Sequence, residues 1–69
     1  RRISVPNLRR LNMEKAIHRL SAAVDHFDDA KRFAKEARVA AERGREDEVA
    51  QFSALAEKAA QDGITELLL

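Results

Sequence analysis

Apolar residues recur at close to seven-residue intervals over the first part of the chain, and no glycine or proline interrupts them between Met13 and Ala41. Such spacing is typical of a long amphipathic helix that packs along one stripe, as in a coiled coil. The pattern predicts a helix over about residues 12–43. One row of its stripe is Met13, Leu20, Phe27, Ala34 and Ala41, and the other is Ala16, Ala23, Ala30 and Ala37, widened by Ile17, Val24, Phe33 and Ala40.

A single glycine, Gly44, separates this pattern from a second one. Gly44 fits the residue that follows a helix, and the acids at 46–48 suit the first turn of the next helix because of the helix dipole. A connection this short joins antiparallel neighbours. The sequence therefore predicts an all-α helical hairpin, with a second helix over about 46–62 that ends at Gly63 or runs on to 69. The expected apolar residues of this helix are Val49, Phe52, Leu55, Ala56 and Ala59.

Large and small side chains alternate across the predicted hairpin if opposing residue numbers add up to about 89 or 90. Phe27 then faces Gly63, and Phe52 faces Ala37. Such pairs fill space without overlap and allow the helix axes to approach to about 8 Å. An alanine-rich helix offers small partners in many registers, so this alignment competes with others.

The two predicted helices differ in length. Residues 12–43 make a helix of about 48 Å and residues 46–62 one of about 26 Å; even if it runs to 69, the second helix reaches only the level of Leu20. Met13 and Ile17 are left uncovered, although each is worth roughly 1.5–3 kcal/mol when fully buried. A chain of 69 residues is also short for an independent core. We therefore expect the hairpin to complete a four-helix-type bundle by dimerisation, or to dock on another helical protein, as a non-catalytic interaction module. The expected interface residues are Met13, Ile17, Leu20, Val24, Phe27 and Phe33.

Residues 1–11 are predicted to form a basic N-terminal arm, separate from the hairpin domain at 12–69. The arm contains Arg1, Arg2, Arg9 and Arg10 and no acid. It supports an alternative function, a small regulatory protein that contacts nucleic acid through these arginines. The arm has no aromatic residue for base stacking, and the net charge of the chain is only +1, so we rank this alternative below protein binding.

Catalysis and cofactor binding have little support in the sequence. In "AIHRLSAAV", His18 and the leucine two residues later distantly resemble histidine phosphotransfer hairpins, but Ser21 and Ala22 replace the Lys and Gly that usually follow. This gives a remote alternative in which His18 accepts phosphate. The acidic cluster around His26 is expected to be a solvated face, and neither a metal site nor a cofactor site is predicted.

Two further expectations concern the context of the chain. It contains no cysteine, which favours a cytoplasmic location, and its longest apolar runs are three residues, far short of the roughly 20 needed to cross a membrane. It begins with "RRIS" and ends with three leucines, so we expect a processed product or a fragment of a longer protein. "RRIS" also resembles the Arg-Arg-x-Ser pattern of basophilic kinases, with Ser4 as acceptor.

Overall fold

The computed structural model describes the backbone of residues 5–69 and the side chains of residues 9–69. This part of the chain consists of two helices, α1 (Val5–Glu42) and α2 (Glu46–Leu68). Phe27 of α1 lies against Gly63 of α2 and Phe33 lies against Phe52, so the helices run antiparallel. The molecule is a rod with extents of 67 × 14 × 8 Å. The prediction of an all-α hairpin is confirmed.

The turn between the helices is a Schellman motif centred on Gly44. The Arg45 N–H donates to the Ala40 carbonyl at 2.9 Å, and the Gly44 N–H donates to the Ala41 carbonyl at 3.1 Å. Gly44 has a φ of 70°, a conformation that glycine adopts without steric cost. The first turn of α2 then begins with three acids, as the dipole favours. The predicted role of Gly44 as the hairpin tip is confirmed.

The second helix does not end at Gly63. It continues to Leu68, which confirms the longer of the two predicted alternatives. A glycine inside a helix costs about 0.5–1 kcal/mol relative to alanine. Here it makes room for Phe27, because a Cβ built on Gly63 would lie only 2.7 Å from Phe27 Cε1. The predicted pairing of Phe27 with Gly63 is therefore observed.

The first helix begins at Val5, seven residues before the predicted start near residue 12. Pro6 lies in its first turn, where a missing N–H is tolerated. The sequence prediction placed the start later because arginines in a first turn oppose the helix dipole, but Arg10 instead pairs with Glu14 one turn further on, at 3.8 Å. The predicted helix start near residue 12 is thus too late. Residues 1–4, with Ser4 and the first two arginines of the arm, lie outside the described residues.

The helices meet along one seam on each, which we call the hairpin seam. Its residues are buried or half-buried and recur at alternating intervals of three and four. Phe33 and Phe52 stack across it, with ring centroids 6.4 Å apart. The hairpin seam consists of Ala23, His26, Ala30, Phe33, Ala37 and Ala40 on α1, and of Val49, Phe52, Ala56, Ala59, Gly63 and Glu66 on α2.

The row predicted to run through Ala34 and Ala41 is not part of this seam. Both alanines are exposed, whereas their neighbours Phe33 and Ala40 face α2. The two choices have the same heptad spacing relative to Ala37, so spacing alone does not select between them. In the observed structure, α1 is rotated about its axis so that Phe33 and Ala40 face α2, and Phe33 stacks on Phe52.

Candidate functional site: an apolar seam on the long helix

The N-terminal half of α1 projects beyond the end of α2. Every residue from 9 to 21 is exposed, whereas burial begins at Ala22 and Ala23. The second helix ends at Leu68, which is level with the beginning of that buried stretch. About 20 Å of single helix, at 1.5 Å per residue, therefore has no neighbour within the described chain.

Five large apolar side chains form a second seam on α1, which we call the outer seam: Met13, Ile17, Leu20, Val24 and Phe27. They recur at intervals of four and three, which is the spacing of a helix that packs against another helix. Their exposed fractions range from 37% for Phe27 to 64% for Met13. Exposed apolar residues are ordinary when scattered, but five along one seam form a continuous patch.

The outer seam lies beside the hairpin seam and not within it. Val24 follows the buried Ala23 by one position, and Phe27 follows His26 in the same way. One position corresponds to a rotation of about 100° around a helix. The outer seam therefore faces sideways from the hairpin. It is exposed from Met13 to Val24, whereas Phe27 also packs against Gly63 of α2.

The second helix adds Ile64 and Leu67 to this face. Each follows a hairpin-seam residue by one position, and both are about half exposed. Residues displaced by the same step from the seam lie on the same face of an antiparallel pair, because the reversed chain direction also reverses the sense of rotation. The residues that precede the hairpin seam by one position agree with this assignment. They line one common groove on the other face: Asp29, Leu55, Lys58 and Asp62.

Phe33, the sixth predicted interface residue, does not join the other five. It is half-buried against Phe52, and the guanidinium of Arg32 lies 5.3 Å from its ring centroid. Conversely, sequence reasoning did not place Ile64 and Leu67 at the interface. Ile64 and Leu67 each follow a hairpin-seam residue, Gly63 or Glu66, by one position. This position indicates their face only when the hairpin seam is known.

Charged residues surround the outer seam at both ends. The Ile17–Val24 row continues at seven-residue spacing to Arg10 on one side and to Lys31 and Arg38 on the other. All three are exposed, as are the adjacent Arg9 and Lys35. Within residues 9–69, the three cations at 31, 35 and 38 form no ion pair with a carboxylate within 4.0 Å, whereas Arg10 is paired with Glu14.

One long edge of the outer seam is polar and acidic in its middle. A shallow groove along this edge is lined by Ile17, Leu20, Ser21, Val24 and Asp25. Asp28 is exposed one turn further along the same edge. The surface therefore has an apolar centre, cations at both ends and acids along one side.

The other candidates from the sequence are isolated in the structure. His18 is exposed on the projecting part of α1, and His26 lies 3.8 Å from Glu66 across the hairpin. Arg9 and Arg10 are exposed on α1, while Arg1 and Arg2 lie outside the described residues. Among the residues that the structure describes, no three His, Cys, Asp or Glu side chains are grouped so that they could hold a metal ion.

Comparison of the chain with protein-family models, curated proteins and solved structures gave no match. Over the described residues, neither helix is both long and apolar enough to cross a membrane.

Proposed function

We propose that the chain is a non-catalytic helical interaction module that associates with a second copy or with another helical protein through the outer seam. The observation that carries this proposal is the combination of heptad spacing and exposure at Met13, Ile17, Leu20, Val24 and Phe27. A heptad row of large side chains is the pattern that a helix uses to pack on a helix. The hairpin's own second helix packs mainly along a different row of α1, although Phe27 also contacts it at Gly63.

Energetics support the same proposal. Each of these side chains would contribute roughly 1.5–3 kcal/mol if fully buried, whereas a whole domain is stable by only about 5–15 kcal/mol. Among the described residues, the apolar side chains that the hairpin buries are small, namely Ala23, Ala40 and Ala59. The hairpin core is thus poor in apolar area, and most of the large apolar area of the described chain lies outside it. Covering the outer seam would add much of the missing stabilisation.

Sedimentation equilibrium combined with circular dichroism tests this proposal. We expect either an oligomer or a monomer of marginal stability that becomes more stable when a helix with an apolar heptad row is added. A monomer that unfolds cooperatively at micromolar concentration, and that gains nothing from such a helix, would contradict the proposal.

Ile17→Asp and His18→Asp form a matched pair for the same test. Both place a carboxylate in the projecting part of α1, but only residue 17 lies in the outer seam. We expect Ile17→Asp to weaken association about 100-fold, because it removes a buried apolar group and leaves a desolvated charge. His18→Asp should leave association within a few-fold of the original chain.

A further inference from the structure

The charges at the two ends of the outer seam indicate which kind of helix covers it. We infer that its partner is a helix of a different protein or segment, with an apolar heptad row and acidic residues at both ends of that row. This inference rests on the proposed function and specifies the partner. Its basis is the distribution of charge around the seam, with exposed cations before Met13 and after Phe27.

A second copy is a poor match when the two outer seams pair antiparallel about Leu20, the middle residue of the seam. With Leu20 near the two-fold axis, Arg10 lies within one turn of Lys31 of the second copy. Glu14 then lies near Asp28 of the second copy. Like charges that meet across a helix pair are unfavourable, and here both the ends and the edges place like charges together.

Parallel pairing of two copies has a similar defect. In register, Arg10 meets Arg10 and Lys31 meets Lys31, both in the row that contains Ile17 and Val24. Charged residues inside such a row oppose association unless an opposite charge is present. A helix with acids at its two ends supplies the opposite charge to Lys31 at one end and, in addition to Glu14, to Arg10 at the other, and it keeps the apolar centre covered.

The length of the site sets the length of the partner. From residue 10 to residue 31 the helix extends about 32 Å, so a partner helix of about 22 residues spans the seam with both charged ends. Ile64 and Leu67 of α2 flank one side, and the partner would lie along α1 over Val24 and Phe27. The arrangement is a third helix added to the hairpin.

Two matched probe peptides test the inference. Both are helices of about 22 residues with leucine at the heptad positions and alanine and glutamine elsewhere. One carries glutamate in its first and last turns, and the other carries lysine at the same positions. Each probe therefore has one end that suits the helix dipole and one that opposes it, so their intrinsic helicities are comparable.

Binding of both probes to the full 69-residue chain is measured by calorimetry at low and high salt. We expect the acidic probe to bind about tenfold more tightly at low salt, as a handful of exposed ion pairs would give, and the difference to vanish at high salt. In the double variant K31E/K35E, the difference in affinity between the acidic and the basic probe should become smaller. Lys58→Glu changes a cation on the opposite face, so it should leave this difference in affinity unchanged.

Other results separate this inference from the proposed function. Equal binding of the two probes would overturn the inference but leave the interaction module in place. If neither probe binds and the chain is a dimer that Ile17→Asp dissociates, a second copy covers the outer seam. This result would also overturn the inference and leave the interaction module in place. If neither probe binds and the chain is a stable monomer, both the inference and the proposed function are overturned.

Discussion

At the scale of single residues, Gly63 controls how closely the two helices approach. Phe27 Cε1, Cζ and Cδ1 all lie within 3.0 Å of the position that a Cβ on Gly63 would occupy. Alanine would improve the helix propensity of α2 by about 1 kcal/mol, but its methyl group would displace the Phe27 ring. Two opposing effects of similar size therefore meet at this position.

A double-mutant cycle separates these effects. We expect Gly63→Ala to lower the free energy of unfolding by about 1 kcal/mol in the original chain and to raise it by about 1 kcal/mol in a Phe27→Ala background. Urea denaturation of the four chains gives the coupling between the two positions. Equal stabilisation in both backgrounds would show that Phe27 and Gly63 are not neighbours.

Gly44 is a glycine for a different reason. No atom lies within 4 Å of a Cβ built on it, but its φ of 70° is unfavourable for residues with a side chain. We expect Gly44→Ala to lower the free energy of unfolding by about 1 kcal/mol, and Gly44→Asn to cost less because asparagine tolerates the left-handed region. Thermal denaturation provides the comparison, and an alanine variant as stable as the original chain would contradict the observed turn.

At the scale of the helices, the rotation of α1 about its axis decides which alanines are buried. Ala40 is 3% exposed, whereas the next residue, Ala41, is exposed. Leucine and alanine have similar helix propensities, so replacement by leucine mainly tests the available space. We expect Ala40→Leu to destabilise the hairpin by about 1–3 kcal/mol through overpacking and Ala41→Leu to change its stability by less than about 0.5 kcal/mol. If both variants lose the same stability in urea denaturation, the assigned hairpin seam is wrong.

Sequence reasoning predicted the elements of this fold better than their rotation. Gly44 and the acids after it carry strong local signals for a helix end and a helix start, so the hairpin was predictable. The pairing of Phe27 with Gly63 followed from one register, in which opposing residue numbers add up to about 90, but spacing alone did not exclude other registers. The choice of Ala40 over Ala41 was not, because both rows have heptad spacing and the selection depends on a contact between distant residues, Phe33 and Phe52.

The candidate site was predictable in part for the same reason. Met13 and Ile17 lie beyond the reach of α2, and helix lengths follow from residue counts. Ile64 and Leu67 could be assigned to the same face only after the hairpin seam had been observed. The early start of α1 at Val5 was missed because the dipole argument was applied to Arg9 and Arg10, and the pairing of Arg10 with Glu14 was not considered.

At the scale of the whole molecule, the hairpin has two regions that should differ in local stability. Residues 30–42 of α1 lie beside α2, whereas residues 9–21 form a single helix exposed on all sides. An isolated helix of this length is marginal in water, so its stability depends on whatever covers the outer seam. This difference follows directly from the unequal lengths of the two helices.

Hydrogen exchange followed by mass spectrometry therefore tests the central claim, that the outer seam is uncovered in the hairpin and is the surface at which it associates. In a dilute monomeric sample, we expect amides of residues 9–21 to exchange much faster than those of residues 30–42, and to become protected when the acidic probe helix binds. Strong protection of residues 9–21 in the monomer without any partner would contradict the account.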